Sequence, residues 1–219
     1  MRILVVAAHP DDEVLGCGGT IARLSSMGHR LRILFLGDGV TSRDGVTREE
    51  IALRRRCALG VAELLGVEEV YFGDFPDNRF DGVALLDIVK QIERIGRDFL
   101  PQIVFTHFPG DLNVDHSITY RAVITAFRPF KTSVLEIYSF EVPSSTEWNV
   151  PYSFAPNLYV DISSTWRTKI EALKLYEGEL REWPHPRSLE GLEVKARQRG
   201  MEVGCDFAEA FMLVRSVVR

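Results

Sequence analysis

The stretch "RILVVAAHPDDEVLGCGG", residues 2 to 19, decides the fold. After Arg2 it runs apolar to Ala8 with several β-branched side chains, which reads as a strand buried on both faces. The run then stops abruptly in one histidine, one proline and three acids, with Gly16, Gly18 and Gly19 close behind. A helix is expected from Glu13 to Met27, so the charges fall where a buried strand hands over to a helix.

Outward from this unit the same alternation repeats. Strands are predicted at 30–37 ("RLRILFLG"), 68–73 ("EEVYFG") and 101–107 ("PQIVFTH"), with helices at 48–66, 82–96 and 117–127 between and after them. A β-α repeat of this kind specifies a mostly parallel sheet with helices on both faces, a Rossmann-like α/β fold. Beyond residue 130 the pattern loosens. Strand candidates at 135–141 and 157–163 flank a loop bearing prolines and serines; helices are expected at 166–176 and 188–199, and "FAEAFMLVRSV" (207–217) fits strand or helix. We read 1–219 as one domain, with the core at 1–130 and a C-terminal elaboration at 131–219.

Composition narrows the function. Hydrophobic residues make up 46% of the 219 and charged residues 26%, as in a globular protein with a large core. The net charge of -5 excludes an extended nucleic-acid surface, since "LRRRC" (53–57) is the only dense basic run. The chain opens on "MRILVV" without the apolar h-region of a secretory leader, and no segment is apolar for long enough to span a membrane, so a cytoplasmic protein is expected. Cys17, Cys57 and Cys205 are odd in number and widely spaced, which points to reduced thiols.

In an open parallel sheet, ligands bind where loops leave the carboxyl ends of the strands. The loop after the first strand carries "HPDDE"; the loop after the strand ending near 106 carries "HFPGDLNVDH" (107–116). His9, Asp11, Asp12 and Glu13 crowd a strand terminus, and such a cluster repels itself unless something positive sits within it. Helix capping accounts for one or two of the carboxylates, with Glu13 suited to the helix dipole. It does not account for the histidine or for both aspartates. A divalent cation does, because imidazole and carboxylate are ordinary zinc ligands and a second carboxylate beside the ion can act as general base. The second loop adds His116, preceded by Asp115, which completes a His, Asp, His set with an open position.

"AHPDDEVLGCGGTIARL" together with "DLNVDH" resembles the PIG-L/LmbE family of zinc-dependent de-N-acetylases, which deacetylate N-acetylglucosaminyl substrates. The resemblance extends more loosely over "FPDNRFD" (75–81) and the tail "HPRSLEGLEVKARQRG" with "FAEAF". It implies His9, Asp12 and His116 as the ligands of one zinc ion, Asp11 as the general base, a small amino-sugar substrate, and release of acetate. Many members carry histidine where this chain has Asn113; an amide donates a hydrogen bond but supplies no proton. The acid role then falls to Asp11 or to His107 or His185. The tail resembles that of archaeal diacetylchitobiose deacetylases, in which a late histidine reaches the metal across a subunit contact. That likeness implies such a part for His185 and a small homo-oligomer, against the alternative of an ordinary loop histidine between two prolines.

Other candidates lie near the predicted strand ends. Asp38, Arg54 or Arg55, and Asp77 are placed to hold sugar hydroxyls or a phosphate, and Trp148, Tyr152 and Trp183 to stack on a sugar ring or to pack. The glycines after "HPDDE" lack the GxGxxG spacing and the P-loop lysine, so close packing of the first helix on the sheet is their expected role. Two other readings remain open: an amidase acting on a thiol or antibiotic conjugate, and a non-catalytic metal- or nucleotide-binding module.

Overall fold

A computed structural model describes every residue of the chain except Lys131, Tyr152 and Arg219; Tyr152, one of the candidate stacking residues, lies outside the described residues. The first strand, β1 (Arg2–Ala7), feeds α1 (Asp12–Ser26), and β2 (Arg30–Gly37), α2 (Arg48–Leu65), β3 (Glu69–Phe75), α3 (Leu85–Phe99), β4 (Ile103–His107) and α4 (Val114–Ala126) continue the alternation. Then come β5 (Glu136–Phe140), β6 (Leu158–Asp161), α5 (Trp166–Leu175), α6 (Leu189–Val203) and β7 (Ala208–Ser216). Among the described residues, seven strands form one sheet in the order β3-β2-β1-β4-β5-β7-β6. Strands β1 to β5 pair in parallel, and β7 runs antiparallel to both its neighbours.

The continuous apolar run of β1 is explained by its central position. Ile3, Val5 and Ala7 face one core with Ile33 and Phe35, under side chains of α1, α2, α5 and α6. Leu4, Val6 and Ala8 face the opposite core with Ile88 and Ile92 of α3 and Val123 of α4. Two-sided burial leaves no position for a polar residue until the strand ends.

One element left open by the sequence resolves, and two helix starts depart from the expectation. The tail 208–216 resolves as strand β7, buried at its start and exposed toward its end, as befits a strand covered by α6 over only part of its length. Helix α3 starts at Leu85 because Phe80–Gly82 forms a separate 3₁₀ turn. Helix α4 starts at Val114, because the Asn113 side chain accepts the Asp115 N–H at 2.9 Å and caps the helix. Asp115 and His116 therefore stand on its first turn.

Helix α1 is kinked at Cys17 (φ -147°, ψ 22°). A side chain at Gly16 would overlap the Phe140 ring, and a Cβ at Gly19 would fall 2.8 Å from Ile162, so the glycines allow the kinked helix to lie against the sheet and the turn after β6. The break leaves backbone groups to be satisfied from elsewhere. Glu209 of β7 accepts the N–H groups of Gly19 (2.9 Å) and Thr20 (2.7 Å), and Lys169 of α5 donates to Leu15 O (2.9 Å) while pairing with Glu209 at 2.6 Å. The three cysteines are free thiols. Among the described residues, no helix is long and apolar enough to cross a membrane.

Candidate active site

Chain connections leave β1 and β4 in opposite directions, β1 toward β2 and β4 toward β5, so a crevice opens between these two adjacent strands at their carboxyl ends. Both acidic loops end there. His9, Asp12 and His116 are buried and bring ligand-type atoms within 4.8 Å of one another.

Each histidine is held by a carboxylate on one ring nitrogen. His9 Nε2 lies 2.9 Å from Asp115 Oδ2 and 3.1 Å from Asp77 Oδ1, while Nδ1 faces Asp12 at 3.4 Å. His116 Nδ1 lies 2.8 Å from Asp111 Oδ2, and Asp111 Oδ1 in turn accepts the Thr146 hydroxyl at 2.6 Å. With protons on the nitrogens that meet Asp115 and Asp111, the lone pairs of His9 Nδ1 and His116 Nε2 are left facing Asp12. His116 Nε2 is buried and makes no hydrogen bond among the described residues; Asp12 Oδ1 is 3.3 Å away without the alignment of one. An orphaned imidazole nitrogen, a second with its lone pair toward the same carboxylate, and an orienting carboxylate behind each ring together fit a divalent cation.

The electrostatics lead to the same conclusion. Burial alone would lower the His9 pKa, yet the surrounding carboxylates of Asp115, Asp12 and Asp77 raise it to about 10. Burial likewise opposes His116, which Asp12 and Asp111 raise to about 9. Burial would raise Asp12, but His116, His107 and His9 hold it well below the usual carboxylate range. Without a metal, protons on the histidines supply the positive charge that the buried carboxylates require.

Asp11 is different. Its backbone stands at φ 129°, ψ -29°, a region costly for a non-glycine residue by about 1–3 kcal/mol, and although it occupies the N-cap position of α1 its side chain caps nothing. The carboxylate instead lies 3.2 Å from Arg187 Nη1 and 3.7 Å from Arg54 Nη1. Burial first, opposed by Arg187 and helped by Asp12, pushes it up to about 6. The Asp11 N–H is received by Glu13 Oε2 at 2.9 Å, and the Tyr176 hydroxyl donates to Glu13 Oε1 at 2.9 Å. Glu13, expected to serve the helix dipole, is wholly buried and raised by that burial to about 8.

The remaining sequence candidates divide. Asp77 and Asp115 join the cluster, Asp115 as an anchor for His9 that also accepts the N–H groups of Asn78 (2.7 Å) and Phe80 (2.9 Å). Arg54 is buried at its edge, donating to Pro10 O at 3.1 Å and pairing with Glu179. Arg55 points elsewhere, to Asp74 at 2.6 Å, and Asp38 closes its own turn by accepting Val40 N and Thr41 N at 2.8 Å. His107 is fully buried against His116 (ring centroids 3.9 Å), accepts the Ala8 N–H on Nε2 at 2.8 Å, and is lowered to about 4 by burial and by His116, so it offers no surface to a substrate. His185 packs on the half-exposed Trp148 and accepts the Arg187 N–H on Nδ1 at 3.0 Å. The tail residue that touches Asp11 is Arg187, two positions on. Sequence reading missed Arg187, Tyr176, Glu179 and Asp111; Asp111, inside the quoted "DLNVDH", and Arg187, inside the quoted "HPRSLEGLEVKARQRG", lay in stretches that carried a signal, and Tyr176 and Glu179 did not.

Residues 4–127 match the family model described as PIG-L, GlcNAc-PI de-N-acetylase. The diacetylchitobiose deacetylase of Thermococcus kodakarensis is 32% identical over 192 residues, 83% of this chain and 71% of that one. The 4-oxalmesaconate hydratase of Pseudomonas putida is 26% identical over 205 residues, 83% of this chain and 75% of that one. Among solved structures, a conserved protein from Thermus thermophilus superposes with a TM-score of 0.80 at 26% identity, covering 99% of this chain and 96% of that one.

Proposed function

The chain belongs to the PIG-L family of de-N-acetylases, and from that premise we propose that it hydrolyses the acetamide of an N-acetylglucosamine-type sugar or sugar conjugate, with zinc held by His9, Asp12 and His116. When bound, zinc supplies Lewis acidity that activates water and polarises a carbonyl. The chain's own groups do the rest. Asp111 and Asp115 fix the rings of His116 and His9 so that each presents an unprotonated nitrogen. Asp11 takes the proton of the attacking water and returns it to the departing amine, the double role that the absence of an acidic group at Asn113 leaves to it. Arg54 and Arg187 flank the Asp11 carboxylate and keep its charge compensated inside a buried site. His185 serves by fixing the turn that delivers Arg187. We read 1–219 as one unit, supported by the continuation of the same sheet through β5, β7 and β6.

The observation that carries this reading is a buried carboxylate, Asp11, that caps nothing and stands next to a buried His-Asp-His cluster with an orphaned nitrogen. The test is acetate release from N-acetylglucosamine, diacetylchitobiose and N-acetylglucosaminyl conjugates. Acetate and free amine should appear in equal amounts, disappear on chelation and return with zinc. Addition of water to 4-oxalmesaconate, with no acetate from any sugar, would place the chain with the hydratase instead.

A further inference from the structure

We propose that Glu13 and Tyr176 are positioning residues, which fix the Asp11 carboxylate by anchoring its backbone rather than by touching substrate. Asp11 adopts φ 129°, a conformation that persists in a non-glycine residue only where the surroundings over-determine it. Two bonds in series do this. The Asp11 N–H donates to Glu13 Oε2, and Glu13 Oε1 is tied by the Tyr176 hydroxyl at the end of α5. Both side chains are buried, Glu13 at 0% exposure and Tyr176 at 3%, so no water replaces either bond. Neither residue belongs to the His9, Asp12, His116 cluster. An acid two residues after the base, turned back onto the base's own N–H, leaves the Asp11 side chain one direction to take, between Arg54 and Arg187.

The inference rests on Asp11 being the base, which Asp11→Asn tests separately. Tyr176→Phe keeps the ring and removes one anchor. It should lower kcat by about tenfold to a hundredfold with KM within about twofold, and with metal content and melting temperature close to wild type. Glu13→Gln retains both bonds, its oxygen accepting the Asp11 N–H and its amide donating to the tyrosine oxygen, and should stay near the wild-type rate; Glu13→Ala should not. Because Tyr176 acts only through Glu13, the Glu13→Ala, Tyr176→Phe double variant should be no slower than Glu13→Ala alone.

Hydrogen exchange of the Asp11 amide reads the same anchor without turnover, and should be at least about tenfold faster in Tyr176→Phe than in the wild type. Equal Asp11 protection in both proteins overturns the proposal, as does a wild-type kcat in Tyr176→Phe or a Glu13→Gln loss as deep as that of Glu13→Ala. Loss of activity in Asp11→Asn alongside an unaffected Tyr176→Phe leaves the base assignment standing and removes only the positioning role.

Discussion

Residues 1–130 and residues 131–216 meet at the same buried carboxylates but bring different things to them. The first part supplies the converging ligand set, His9, Asp12 and His116, and the carboxylates that orient it. The second part adds nothing to that set. It supplies Tyr176 to Glu13, Glu179 to Arg54, Arg187 to Asp11, and the Lys169–Glu209 pair beneath the kink of α1. A cluster acidic enough to hold a cation cannot be stabilised by its sequence neighbours, which are acidic too. Compensating donors and cations must come from far along the chain.

Substitutions in the two parts should therefore fail in different ways. The largest effect belongs to the ligands: His116→Ala should lose metal and activity together, and a full metal complement by elemental analysis would take His116 out of the set. Asp11→Asn should keep its metal and lose kcat by roughly 10²- to 10⁴-fold, the value of one general base; near-normal turnover would make Asp11 a structural residue after all. In the second part, the loss expected beneath the kink of α1 is of stability. Lys169→Met leaves Glu209 buried without its partner and should cost about 3–5 kcal/mol in urea unfolding.

Arg187→Ala should act on the pH profile. Arg187 lowers the pKa of Asp11, which stands at about 6 in the metal-free protein, so removing the cation raises that pKa. The acid limb of kcat/KM should then move up by about one pH unit; a limb that stays in place would mean that the tail does not reach the base. The smallest effect is expected for Arg55→Ala. Its partner Asp74 is exposed, so stability should change by less than about 0.5 kcal/mol and turnover not at all.

Legibility in the sequence follows the same division. The strands and helices of 1–130 were readable because a two-sided sheet imposes apolar runs, and the cluster was readable because "HPDDE" and "DLNVDH" concentrate ligand types at strand ends. At the start of α4 the reading slipped because a local side-chain bond intervenes: Asn113, weighed as a catalytic donor, caps the helix and moves its start ahead of Asp115 and His116. The support layer was not readable. Tyr176 meets Glu13 across 163 positions and Arg187 meets Asp11 across 176, and no periodicity or spacing encodes a contact at that range. His185 was singled out in "PHPRS" and Arg187 was not, because an imidazole looks like chemistry while a lone arginine looks like surface.

The place of β7 in the sheet has a consequence for how the molecule comes to exist. Strand β7 inserts between β5 and β6, and among the described residues β6 has no other strand beside it. During synthesis, then, β6 waits unpaired until residues 208–216 emerge, and so do the N–H groups of Gly19 and Thr20, which Glu209 receives. The acidic loop is secured only by a residue made 190 positions after Gly19. A nascent chain lacking β7 would open two further strand edges, one on β5 and one on β6, and leave a loosely held acidic loop, a state suited to capture by chaperones rather than to early loading with a cation.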